Sequence, residues 1–176
     1  MSPLSERARR WSALLRTALY ASTFLFFVAI YVPWFQLRPA GAVLDPERFS
    51  IAQWAGVPIA LAGFLLALYC AWAFAFHGLG TPAPFDPPRK LVIRGPYRWV
   101  RNPMYVGMGA FLAGQALTFP APWRHATFYY LLGVMVAVSL FVLFYEEPTL
   151  RRLFRAEYAE YCRKTPRWLP RPLRPQ

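Results

Sequence analysis

Glu146 and Glu147 stand side by side at the end of a long apolar window, and they are the only acids near the interior of any such window. A carboxylate in that position is costly unless something positive meets it, which makes the pair a candidate site. Adjacent residues of a helix point about 100° apart, so the two acids have different surroundings. Glu147 has Arg151 four residues on, in the favourable order for an ion pair. Glu146 has Leu150 at that offset and no local partner, which suits a carboxylate turned inward to a cationic ligand group. The competing reading is that both acids cap the following helix and sit in water.

A second chemically dense stretch runs from Lys90 to Tyr105, KLVIRGPYRWVRNPMY. Tyr97, Trp99 and Tyr105 flank its cations, and aromatic faces attract ammonium or sulfonium groups. Tyr and Trp also form ordinary interfacial belts, and Trp99 is assigned to that role. Asn102-Pro103 reads as a helix start, with Asn102 as N-cap and Pro103 at the first helical position. A helix N-terminus also receives anions, so a ligand carboxylate could dock there. His77 and His125 have no Cys, Asp or Glu at ligand spacing, so no metal is expected. No Ser-His-Asp arrangement, phosphate loop or GxGxxG occurs, and Gly78-Leu79-Gly80 reads as the end of a helix.

These residues have to be positioned by apolar elements. The 176-residue chain is 57% hydrophobic and 16% charged, with 18% aromatics, which is a membrane-protein profile for a single domain. Four uncharged windows recur: Thr17 to Leu37, Phe49 to Phe85, Asn102 to Trp123 and Ala126 to Tyr145. About 20 helical residues cross a bilayer of about 30 Å. Spans are therefore expected at about 14–36, 52–77, 103–119 and 125–146, the third short or tilted because of its glycines and prolines.

Seventeen of the 20 Lys and Arg residues precede the first span, lie between the second and third, or follow the fourth. Only Arg38, Arg48 and Arg124 fall on the other side. That bias puts both termini in the cytoplasm, and topology rather than nucleic acid accounts for the net charge of +12. Leu150, Leu153, Phe154, Tyr158 and Tyr161 recur at helical spacing among arginines, predicting an amphipathic helix over 148–163 at the membrane interface. Residues 165–176, rich in proline, are expected to be extended. Cys70 lies in an apolar window and Cys162 in a charged segment, so no disulfide framework is indicated. The expected fold is thus an all-α integral membrane protein with about four transmembrane helices and a C-terminal interfacial amphipathic helix.

GPYRWVRNPMYVG, followed some forty residues later by YEEPTLRRLFRAEYAEYCRKTPRWLP, resembles the membrane-embedded S-adenosylmethionine-dependent methyltransferases. That superfamily joins isoprenylcysteine carboxyl methyltransferases to phospholipid N-methyltransferases. The likeness covers about Gly80 to Pro170, while the first two spans match in hydropathy alone. It implies a donor-binding loop at 78–102 and S-adenosylmethionine held on the cytoplasmic side, between the loop and the end of the last span. By position, Leu91 and Val92 would border the donor and Tyr97 and Tyr105 would wall it. Asn102, Pro103 and Met104 would line it, and Glu146, with Glu147 as a second carboxylate, would take its ammonium.

Asn102 stands where the carboxyl enzymes have His, whereas NPMY matches the phospholipid enzymes. SLFVLFY before the glutamates lacks the substrate-binding Arg of the carboxyl branch, although TPRWLP looks more like that branch. The implied activity is methyl transfer to a lipid-like or apolar acceptor: a prenylcysteine-type carboxylate, a phospholipid amine or a small thiol. Membrane lipids are the expected partners. A non-catalytic membrane scaffold or lipid-binding subunit that kept the fold is the alternative, and a transporter is disfavoured by the absence of paired broken helices.

Overall fold

The computed structural model describes residues 45–78, 90–119 and 123–170 without interruption, and within 11–37 every position except 13, 17, 20, 21, 24 and 25. Part of the expected first span, residues 79–89 of the expected loop, and 171–176 of the expected extended tail lie outside the described residues. Every regular element described is helical. A π-turn at Phe26–Tyr31 leads into α1 (Val32–Leu37). Then come α2 (Ile51–Ala73), α3 (Pro103–Thr118), α4 (Trp123–Phe141) and α5 (Glu147–Lys164).

Local chemistry starts α2 where the chain begins its second apolar window. Ser50 accepts from the backbone N–H of Gln53 while the Gln53 side chain accepts from the Ser50 N–H, a reciprocal cap that satisfies two otherwise orphaned donors. The Gln53 amide also donates to the carbonyl of Thr118 at 3.1 Å, tying the start of α2 to the end of α3. The two helices run antiparallel and pack backbone to backbone through small residues. A Cβ placed on Gly63 would lie 2.5 Å from the carbonyl oxygen of Gly107, and one on Gly114 would lie 2.3 Å from the nitrogen of Ala60. Glycine is required at both positions for that approach, as in membrane helix pairs whose association depends on close van der Waals contact.

At about 1.5 Å per residue, the 16 residues of α3 reach about 24 Å, less than the hydrocarbon thickness of a bilayer. Among the described residues two helical runs are long and apolar enough to cross a membrane: Ile51–Ala73, and the run from Arg124 to Lys164. Their outward sides carry Leu61, Leu65 and Leu68 on α2 and Leu132, Val136 and Leu140 on α4, all exposed. Phe26–Phe35 is a shorter apolar helix. Its carbonyls at Val28 and Ala29 accept from Tyr130 and Gln115 at 2.9 Å each, docking it on α4 and α3.

The expected fourth span at 125–146 and the expected helix at 148–163 are continuous in the structure. A π-turn at Val142–Glu146 carries α4 directly into α5. The break lies at Arg155, whose φ of 43° and ψ of −114° are non-helical. Beyond it the chain packs inward, and Tyr158 and Tyr161 are buried. The tail therefore folds against the 90–102 connector through these tyrosines, in addition to carrying exposed arginines at 151, 152 and 155.

Candidate functional site

The connector enters the site through a turn that needs glycine. Gly95 has φ +54°, and a Cβ there would come within 2.8 Å of the Tyr69 hydroxyl. The turn Gly95–Arg98 drops Tyr97 into a buried cluster with Cys70, Ala73 and Val92. Burial pushes the Tyr97 phenol well above its ordinary range, so it stays neutral. Tyr97, expected to wall a ligand, packs between connector and α2. Leu91 is half-buried.

Arg101 begins a set of bonds that lace the connector to the tail. Its guanidinium lies 2.9 Å from Glu147 Oε1 and donates to Cys162 Sγ at 2.8 Å, while its backbone N–H donates to the Pro166 carbonyl at 2.9 Å. Arg167 takes Glu147 in a fork, Nε to Oε1 at 2.7 Å and Nη2 to Oε2 at 3.0 Å. Asn102 Nδ2 donates to the Arg167 carbonyl at 3.3 Å, and the Tyr161 hydroxyl donates to the Tyr97 carbonyl at 2.6 Å. Glu147 is 6% exposed at the centre of this net.

Two expectations change here. Glu147 pairs with Arg101 and Arg167 rather than with Arg151, which lies over the Tyr158 ring at 5.8 Å. A buried carboxylate one turn from Arg151 could have used it, but the bend at Arg155 brings Arg167 closer and in fork geometry. Asn102 occupies the N-cap position of α3 but makes no side-chain cap bond, because its amide is turned to the tail.

Glu146 has different company. Its carboxylate is half-buried and accepts one hydrogen bond, from the Tyr105 hydroxyl to Oε2 at 3.1 Å. It has no ion pair among the described residues. Tyr105 belongs to a second buried cluster with Met108, Val138 and Val142, against which Met104 and Trp168 pack. Met104 also packs on the Tyr97 cluster and joins the two. Pro103 is fully buried at the start of α3. Tyr105 and Glu146 therefore meet directly with Met104 packed beside them, Asn102 is joined to Glu147 through Arg167, Pro103 lies on the other face of α3, and Val92 and Tyr97 pack on Met104 from the α2 side.

An apolar cleft of about 350 Å³ opens nearby, lined by Leu66, Pro96, Trp99, Pro103, Val106 and Trp168 among others. Pro103 and Val106 lie on the face of α3 opposite Tyr105 and Met108, so this cleft is not the surroundings of Glu146. Trp99 is exposed at its rim. Among the described residues no three His, Cys, Asp or Glu side chains gather as metal ligands would.

Sequence reasoning missed Arg101, Arg167 and Trp168. The signal for the first two was the cost of burying Glu147: an acid surrounded by apolar residues needs cations, and the connector and tail are where cations abound. Nothing in the local spacing pointed to Trp168.

Residues 51–157 match the family model for phospholipid methyltransferase, three-fifths of the chain. No curated protein and no solved structure matches it.

Proposed function

The chain belongs to the phospholipid methyltransferase family, and from that premise we propose that it is an S-adenosylmethionine-dependent methyltransferase acting on a lipid-like or apolar acceptor at the cytoplasmic face of a membrane. The observation that carries this reading is the contrast between the two acids: Glu147 is neutralised by two guanidinium groups, and among the described residues Glu146 has a single neutral donor.

The residues present fit such a donor. Glu146 offers a carboxylate to an ammonium, held in orientation by Tyr105. The first turn of α3, not capped by the Asn102 side chain, offers backbone N–H groups to a carboxylate. When bound, the donor supplies an electrophilic methyl group on a sulfonium. Met104 and Tyr105 form an apolar wall that limits water, and the helices fix the approach of the acceptor. Orientation of this kind can contribute about 7–11 kcal/mol to a displacement that needs no metal. A carboxylate or thiolate acceptor also needs no general base, and none is assigned.

The cation bias of the sequence supports a cytoplasmic site in a multi-pass protein, with the apolar sides of α2 and α4 toward lipid. The test is incubation of membranes containing the protein with donor labelled in its methyl group, followed by identification of the labelled product. A labelled lipid-soluble product dependent on the protein is expected. Absence of any labelled product, with no donor binding, would replace the proposal with a non-catalytic scaffold.

A further inference from the structure

Among the described residues after α5, Trp168 is the large side chain that reaches the cluster next to Glu146. It packs against the group formed by Tyr105, Met108, Val138 and Val142. Tyr105 is the hydrogen-bond donor to Glu146, and Val142 lies one turn before Glu146 on the same helical run. On its other side Trp168 lines the apolar cleft with Pro103 and Val106, so it stands between the cleft and the Tyr105–Glu146 pair.

Its placement is held from the neighbouring residue. The Arg167 side chain is forked onto Glu147, and the Arg167 carbonyl accepts from Asn102. Pro166 is bonded through its carbonyl to the Arg101 N–H. By contrast, Leu169, the next residue, is 78% exposed. A non-helical tail segment seldom holds a bulky ring in place without such anchoring, and here both of its preceding residues are tied to the start of α3.

We infer that Trp168 is a positioning residue of the donor site: it presses on the Tyr105 cluster and so fixes the Glu146 carboxylate, and the Arg167–Glu147 fork keeps it there. The inference rests on the donor reading of Glu146 given above. It assigns Glu147 a purpose beyond neutralising its neighbours, since the clamp sets the strap that carries the ring. It also links occupancy of the cleft to the donor site through one shared wall.

The test is calorimetric titration of S-adenosylmethionine into the full-length protein in detergent, comparing wild type, Trp168→Ala, Trp168→Phe, Arg167→Lys and Leu169→Ala. Loss of a supporting contact one step from the ligand is expected to weaken binding about tenfold in Trp168→Ala. Trp168→Phe should recover most of that affinity, because a ring still fills the position. Arg167→Lys should weaken binding in the same direction, since an ammonium cannot reproduce the two-bond fork. Leu169→Ala should match wild type.

A merely structural role would lower the binding stoichiometry, as fewer molecules fold, and leave the dissociation constant of the folded fraction unchanged. That outcome in Trp168→Ala would overturn the inference while leaving the donor reading intact. Failure of the wild type to bind would overturn the donor reading and this inference with it.

Discussion

Glu146 and Glu147 are consecutive, yet their carboxylates are held by different parts of the protein: Glu147 by Arg101 and Arg167, and Glu146, among the described residues, by the Tyr105 hydroxyl. The π-turn that ends at Glu146 and the helix that starts at Glu147 turn the two side chains to different sides of one helical run. One acid locks connector and tail together, and the other has no ion pair among the described residues.

Removing the locking acid should be costly. Glu147→Ala leaves two guanidinium groups facing each other without compensation, one of them largely buried. Breaking a buried ion pair from one side costs about 3–5 kcal/mol. Unfolding by denaturant in detergent micelles should show a loss of that order, and a loss below about 1 kcal/mol would mean the net is only superficial.

The close approach of α2 and α3 gives a second prediction. In Gly114→Ala the new Cβ would meet the Ala60 backbone at 2.3 Å and the Gly56 carbonyl at 2.6 Å, and backbone atoms cannot rotate away. The helices must separate, with a cost of about 1–3 kcal/mol or more. Gly133→Ala is the control: its Cβ would meet nothing within 4 Å, and alanine is the better helix former by about 1 kcal/mol. Unfolding midpoints should move in opposite directions for the two variants.

Arg155 is exposed and holds a backbone conformation that favours glycine. Such a residue stores about 1–3 kcal/mol of strain. Arg155→Gly should therefore be neutral or stabilising, by up to about 1 kcal/mol once the greater freedom of glycine in the unfolded chain is counted. A clear destabilisation would show that the bend is not the preferred local geometry. The measurement is again the unfolding midpoint.

Much of this architecture was legible as pattern. Ile51–Ala73 is uncharged and preceded by Ser50 with Gln53 three residues on, so both its length and its start could be read. The meeting of the 102–105 stretch with Glu146 came from two motifs and an apolar helix of suitable length between them. The partners of Glu147 were hidden because local spacing sees only Arg151, while Arg101 is 46 residues upstream and Arg167 is 20 downstream. The bend at Arg155 was also hidden, since arginine carries no preference for positive φ. The small-residue contacts of Gly63 with Gly107 and Gly114 with Ala60 are divided between two helices, and neither helix shows its register alone.

Tyr105 supplies the bond that orients the available acid. Tyr105→Phe removes that hydroxyl and keeps the ring in its buried cluster. Its stability should change by no more than about 0.5–1.5 kcal/mol, the usual net value of one hydrogen bond. Donor affinity should fall several-fold, read by calorimetry in detergent, because the carboxylate loses its fixed orientation.

The central claim is that the Glu146 carboxylate receives the positive end of a methyl donor, and titration of S-adenosylmethionine into wild type and Glu146→Gln tests it most directly. A charged hydrogen bond contributes about 1.5–3 kcal/mol, so the neutral amide should weaken binding by about ten- to a hundredfold while the fold stays intact. Equal dissociation constants for the two proteins, with both fully folded, would contradict the assignment.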